Sequence, residues 1–156
     1  MTLVLLSFLA TAQKAKLVDA ISTSWSGGVA GKYGTGYVFI VEFSCNGADE
    51  PMPDTLWIGS KCITLISKTT SGRSYNMIKT VKKKKVTFKV WGGTSNEDED
   101  RPTIQYPGAP PEKKIAKPAP PVKYSGVALL SYKYKEKQTY FVIDKIMTVG
   151  PPVNYP

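Results

Sequence analysis

The residues best equipped for chemistry in this chain are cations. Lys82, Lys83, Lys84 and Lys85 are consecutive, with Lys79 and Lys89 close on either side. Such a cluster attracts phosphate, sulfate or carboxylate groups as a set of point charges. The plainer alternative is a solvated hairpin tip whose charges keep a sheet edge from pairing with other chains. Trp91 shares the parity of Lys85 and Lys89, so it should point away from the Val86, Phe88 and Val90 side. That makes it the best candidate for an exposed or second-core aromatic residue. The chain carries a formal charge of +9, which favours polyanionic partners in general.

Catalytic chemistry has little to work with. There is no histidine, which removes the usual general base and the commonest metal ligand. Two cysteines cannot build a four-thiolate zinc site. Isolated carboxylates such as Asp144 and Glu42 lack a visible acid/base partner. The run Glu97-Asp98-Glu99-Asp100 offers hard oxygen ligands for calcium but has no EF-hand spacing, so solvated charge, or pairing with the lysine tip, is the expectation. The glycine-rich run GGVAGKYGTG lacks the Lys-Ser/Thr ending of a P-loop and leads into a strand, which reads as a turn or tight hairpin. No enzyme activity, cofactor or metal is therefore expected.

Cys45 and Cys62 form an even pair. In an exported protein they would be expected to bridge, closing a loop worth about 3 kcal/mol in chain entropy. The alternative is two buried thiols on separate strands. Their spacing does not match that of an immunoglobulin domain, although an immunoglobulin-like two-sheet architecture is compatible with the strand pattern. Export is suggested by residues 1–12, MTLVLLSFLATA. The apolar core Leu3–Leu9 and the small-x-small Ala10-Thr11-Ala12 read as a signal peptide, though without a positive n-region. A buried terminal strand or helix is the other reading. The expected location is the periplasm, cell surface or extracellular space, and no apolar run is long enough for a transmembrane helix.

The elements that must position these residues are strands. Val86, Phe88 and Val90 alternate with Lys85, Thr87 and Lys89, the cleanest period-two signal in the chain. Tyr75–Val81 should pair with this strand, and an odd loop or bulge placing Ile78 opposite Phe88 is expected, because an even loop would put Lys79 there. Tyr37–Cys45 reads as a central strand buried on both faces at its first half. In Leu17–Trp25, the residues Leu17, Ile21 and Trp25 share one parity, a poor strand signal or a short terminal helix. Thr55–Ile58 and Lys61–Ser67 are further short strands.

Tyr124–Val149 reads as a hairpin. With Glu136-Lys137 as its turn, Tyr132 faces Phe141, Leu130 faces Ile143 and Tyr134 faces Thr139. Tyr132-Lys133-Tyr134-Lys135 has the composition of a nucleic-acid motif. Alternation, however, sends tyrosines and lysines to opposite faces, whereas a stacking platform needs both on one surface, so nucleic acid is not an expected partner. Trp25, Trp57 and Trp91 could line a carbohydrate surface, but core or cross-strand roles are commoner.

Residues 93–122 hold seven prolines and read as one long loop, too long for an ordinary connection and the part most open to a partner. The tail 151–156 should be irregular. These patterns predict an all-β protein: an antiparallel β-sandwich, or a small β-barrel, of about seven strands in a single domain over 13–156. The first functional expectation is a non-catalytic exported protein with an accessory, structural or adhesion role through protein contacts. The second is a polyanion or acidic-glycan binding module using Lys79, Lys82–Lys85, Lys89 and Trp91.

Overall fold

The computed structural model describes residues 15–27, 31–45, 49–68, 74–96 and 118–155. Residues 1–12, expected to be a signal peptide, residues 28–30 of the glycine-rich run, residues 46–48 and 69–73, the acidic run and most of the segment expected to be a proline-rich loop lie outside them. Over the described residues the protein is all-β, with ten strands in two open sheets. Sheet A holds β1 (Ala15–Gly27), β2 (Tyr33–Ser44), β5 (Met77–Lys82) and β6 (Lys85–Ser95). Their order is β1-β2-β6-β5, and the C-terminal β9 (Met147–Thr148) and β10 (Val153–Tyr155) lie along β1. Sheet B runs β4-β3-β7-β8, from β3 (Met52–Ile58), β4 (Lys61–Thr64), β7 (Ala128–Tyr134) and β8 (Lys137–Ile143).

Period-two burial builds the core. Phe39, Val41 and Phe43 on β2 sit opposite Val90, Phe88 and Val86 on β6, all at most 1% exposed. Across the gap lie Leu56, Ile58, Ala128, Leu130, Tyr132 and Ile143 from sheet B. The Phe43 ring meets the edges or faces of Phe88 and Tyr132 at 5.8 and 4.9 Å between centroids. Each such large side chain contributes about 1.5–3 kcal/mol on burial. The second hairpin joins the sheet begun before the proline-rich loop, since β7 pairs with β3.

Several expectations are corrected. The β5–β6 loop is even: Lys83 and Lys84 form a two-residue turn and Lys79 stands opposite Phe88. A cation is tolerated there because β5 is the outer strand of sheet A. Only Met77 of its core-side residues is buried, and Lys79 turns aside to pair with Glu50. The β7–β8 turn is Lys135-Glu136, not Glu136-Lys137, so Leu130 faces Phe141 and Tyr132 faces Thr139. The slip is two residues, which keeps every side chain on its expected face. Both turn residues have left-handed φ, 49° and 61°, the pattern of a type I′ turn whose twist suits a hairpin.

The weak signal in β1 has a physical cause. The register shifts between Leu17 and Asp19, so Leu17 faces the core while Ile21 and Trp25 face outward. The outer face of β2 is half-buried rather than buried. β6 continues to Ser95, into the stretch expected to be loop, and the tail forms β10 rather than remaining irregular. Short parallel pairing with the exposed edge of β1 gives the tail its partner.

Candidate functional site

Both hairpin tips come to the same end of the sandwich. Three ion pairs and one backbone hydrogen bond tie them to the end of β2 and the segment that follows it. The Cys45 amide donates to the Lys84 carbonyl oxygen at 2.8 Å. Lys85 Nζ donates to Glu42 Oε1 at 2.8 Å, and Lys79 Nζ donates to Glu50 Oε2. From the other tip, Lys135 Nζ lies 3.7 Å from Asp49 Oδ2. Beneath them the Phe43–Tyr132 ring contact fixes the two sheets to each other. The side chains in these ion pairs are 23–60% exposed, so they add at most about 1 kcal/mol each and matter chiefly as geometry.

The resulting end is strongly basic. Lys79 and Lys82–Lys85 come from one hairpin, and Lys133, Lys135 and Lys137 from the other. Lys16 stands opposite Glu42 at the start of β1. These nine lysines meet five carboxylates, Glu42, Asp49, Glu50, Asp54 and Glu136, leaving a local charge of +4 out of the chain's +9. Lys82, Lys83 and Lys84 are exposed and make no ion pair among the described residues. Lys83 holds φ at 53° and Lys135 at 49°, a left-handed backbone that glycine or asparagine adopts more cheaply. A lysine there costs about 1 kcal/mol, strain of the kind that gathers at functional sites.

The basic end continues onto the outer face of sheet A. Lys85, Lys89 and Trp91 share one side of β6, as their parity requires, about 14 Å and then 7 Å apart at the rise of an antiparallel strand. Trp91 is half-buried and meets the Tyr75 ring edge-on at 5.5 Å. Lys68 Nζ lies 5.7 Å from the centroid of the same tyrosine. This face therefore carries cations and an aromatic pair on a shared surface; in Tyr132–Lys135, alternation is broken only at the turn, where Lys135 Nζ reaches to 5.5 Å from the Tyr134 ring centroid. The sequence patterns singled out the first lysine tip and Trp91. They missed Lys133, Lys135 and Lys137 as partners of that tip, because the convergence of two hairpins is set by strand crossovers.

The remaining candidates separate. Cys45 and Cys62 are not bridged to each other, which overturns the expected bridge. Cys45 is buried in the core at the basic end, whereas Cys62 pairs with Trp57 in the register of β3 and β4. By strand parity, Trp57 and Cys62 are on the side of sheet B turned away from the core, so the two thiols cannot meet. Burial pushes the Cys62 thiol up, away from its reactive thiolate form. Glu42 pairs with Lys85 at the basic end, while Asp144 follows β8 at the opposite end, so these carboxylates share no site.

Trp57 is buried and Trp25 lies across Gly34, so the three tryptophans form no common surface. One polar cluster had no sequence signal. Asp54, at the bulge in β3, accepts from Ser131 Oγ and, at 3.0 Å, from Gln138 Nε2. It fastens the bulge to β7 and β8. Among the described residues no group of three Cys, Asp or Glu side chains gathers to hold a metal.

No protein-family model, curated protein or solved structure matches this chain.

Proposed function

We propose that the protein is a non-catalytic binding module that captures a polyanionic chain on its lysine-rich end and the adjoining outer face of sheet A. The observation that carries this reading is the meeting of two basic hairpin tips on one segment, Glu42 to Glu50. Lys82, Lys83 and Lys84 supply charge that no described carboxylate neutralises, and the second tip widens the surface. Binding releases condensed counterions, so affinity must fall steeply with salt. Trp91 and Tyr75 add a surface on which a ring of the ligand can stack. In an exported protein, the natural ligands of this class are sulfated or carboxylated glycans.

An accessory role through protein contacts has less behind it. The exposed large apolar side chains of the described strands, Val18, Tyr33, Met52, Val81, Met147 and Val153, are spread over six strands of both sheets. Retention on immobilised heparin tests the proposal. The protein should elute late in a salt gradient, and replacing Lys82–Lys85 by serine should move elution well forward. Retention that ignores both salt and the substitution would remove the reading.

A further inference from the structure

The end opposite the lysines carries a second surface with different chemistry. β1 and β2 have 13 and 12 residues, whereas no described strand of sheet B exceeds 7, so the inner face of sheet A runs on past the described strands that face it. On that overhang the inward positions change type. Ala15, Leu17 and Ala20 give way first to Ser22, still buried and hydrogen-bonded to Thr148, and then to Ser24 and Ser26, which face Thr35 and Tyr33 on β2. Serine and threonine pack a core poorly, and hydrocarbon at the same positions would have cost nothing in strand propensity.

The overhang is walled by the C-terminal segment. Pro151, Pro152 and Asn154 stand beside Ser24, Ser26, Tyr33 and Thr35 around an open depression of about 510 Å³. Ser26 Oγ donates to Asn154 Oδ1 at 2.6 Å, which fixes the amide over the floor. Trp25 and Gly34 lie between these residues in the ladder and also line the depression, although by parity their side of the strands is the outer one. Among the described residues no charged side chain lines the depression. Its size falls within the range of small-molecule sites, about 300–1,000 Å³.

We infer that this depression binds a neutral saccharide. The hydroxyls of Ser24, Ser26, Tyr33 and Thr35 and the Asn154 amide suit a polyhydroxylated ligand; Ser26, whose proton goes to Asn154, serves as an acceptor. The exposed Tyr33 ring and two proline rings offer apolar faces to the C–H side of a sugar ring. The lack of charge separates this ligand from the polyanion at the other end, and neither reading depends on the other.

Amide NMR titration tests it, using neutral tetrasaccharides of β-glucan, mannan and chitin as probes and an oligouronate as the charged comparison. The expected result is saturable shifts at residues 24–26, 33–35 and 151–154 with at least one neutral probe, unchanged between low and high salt. Tyr33→Ala should weaken binding at least tenfold. Ser24→Val, which removes a floor hydroxyl without changing the strand, should weaken it severalfold. Replacing Lys82–Lys85 by serine should leave it unchanged. The inference is overturned if no neutral probe gives saturable shifts in the folded protein, if both variants bind as tightly as the parent, or if only the oligouronate perturbs these residues.

Discussion

Lys83, Lys135 and Glu136 are in left-handed backbone at the two tips, where neither charge nor a long side chain helps the turn. Replacing Lys135 by Asn, which suits the left-handed backbone and removes one positive charge, should therefore stabilise the protein by about 0.5–1 kcal/mol in urea unfolding while weakening polyanion binding. A gain in both would mean that the tip has no part in binding. Gly34 is the opposite case. A methyl group there would collide with the Thr94 carbonyl oxygen and lie 2.6 Å from Trp25 Cζ2, so Gly34→Ala should cost about 1–3 kcal/mol in the same assay. Tyr132 gives a pH signature. Burial raises its phenol above the usual value of about 10, so the fold favours the neutral form. The stability this contributes is complete below that value and is lost as pH rises through the raised one. The urea midpoint should drop above about pH 10, and Tyr132→Phe should reduce the drop; equal slopes in both proteins would contradict the assignment.

At the scale of the element, alternation is legible in the sequence and pairing is not. Val86, Phe88 and Val90 announce their inward side, and that alone orients Lys85, Lys89 and Trp91. The bulge at Leu17–Asp19 is hidden because one extra residue reverses parity without altering composition. The odd loop expected for β5–β6 is wrong for a related reason. It assumes that an outer strand is buried as evenly as a central one, and Lys79 shows otherwise. An inward charge on an edge strand also hinders association of sheets. Lys79→Ile should accordingly raise the tendency to self-associate, seen as a concentration-dependent shift in light scattering, while leaving the monomer folded; a strictly monomeric variant would deny Lys79 that role. The tail strand β10 is illegible too. Three residues between prolines become a strand only because the edge of β1 is there to receive them.

The molecule as a whole is a sandwich polarised along its strands. One end gathers nine lysines from two hairpins and the start of β1, and the other carries hydroxyls and an amide. Local patterns can show each lysine tip but not that both belong to one end, because that follows from the crossing from β2 in sheet A to β3 in sheet B. A concentrated field of this kind steers anionic chains and holds them through counterion release. The most direct test is the salt dependence of affinity for one heparin dodecasaccharide, measured for the parent, for Lys82–Lys85→Ser, for Lys133, Lys135 and Lys137→Ser together, and for the two sets combined. If the tips form a single surface, each set lowers the slope of log affinity against log salt, by roughly one for every sulfate or carboxylate no longer neutralised, and the combination nearly abolishes binding. A second-tip variant that keeps the parent's slope and affinity would show that the convergence of the two hairpins does not make a binding site.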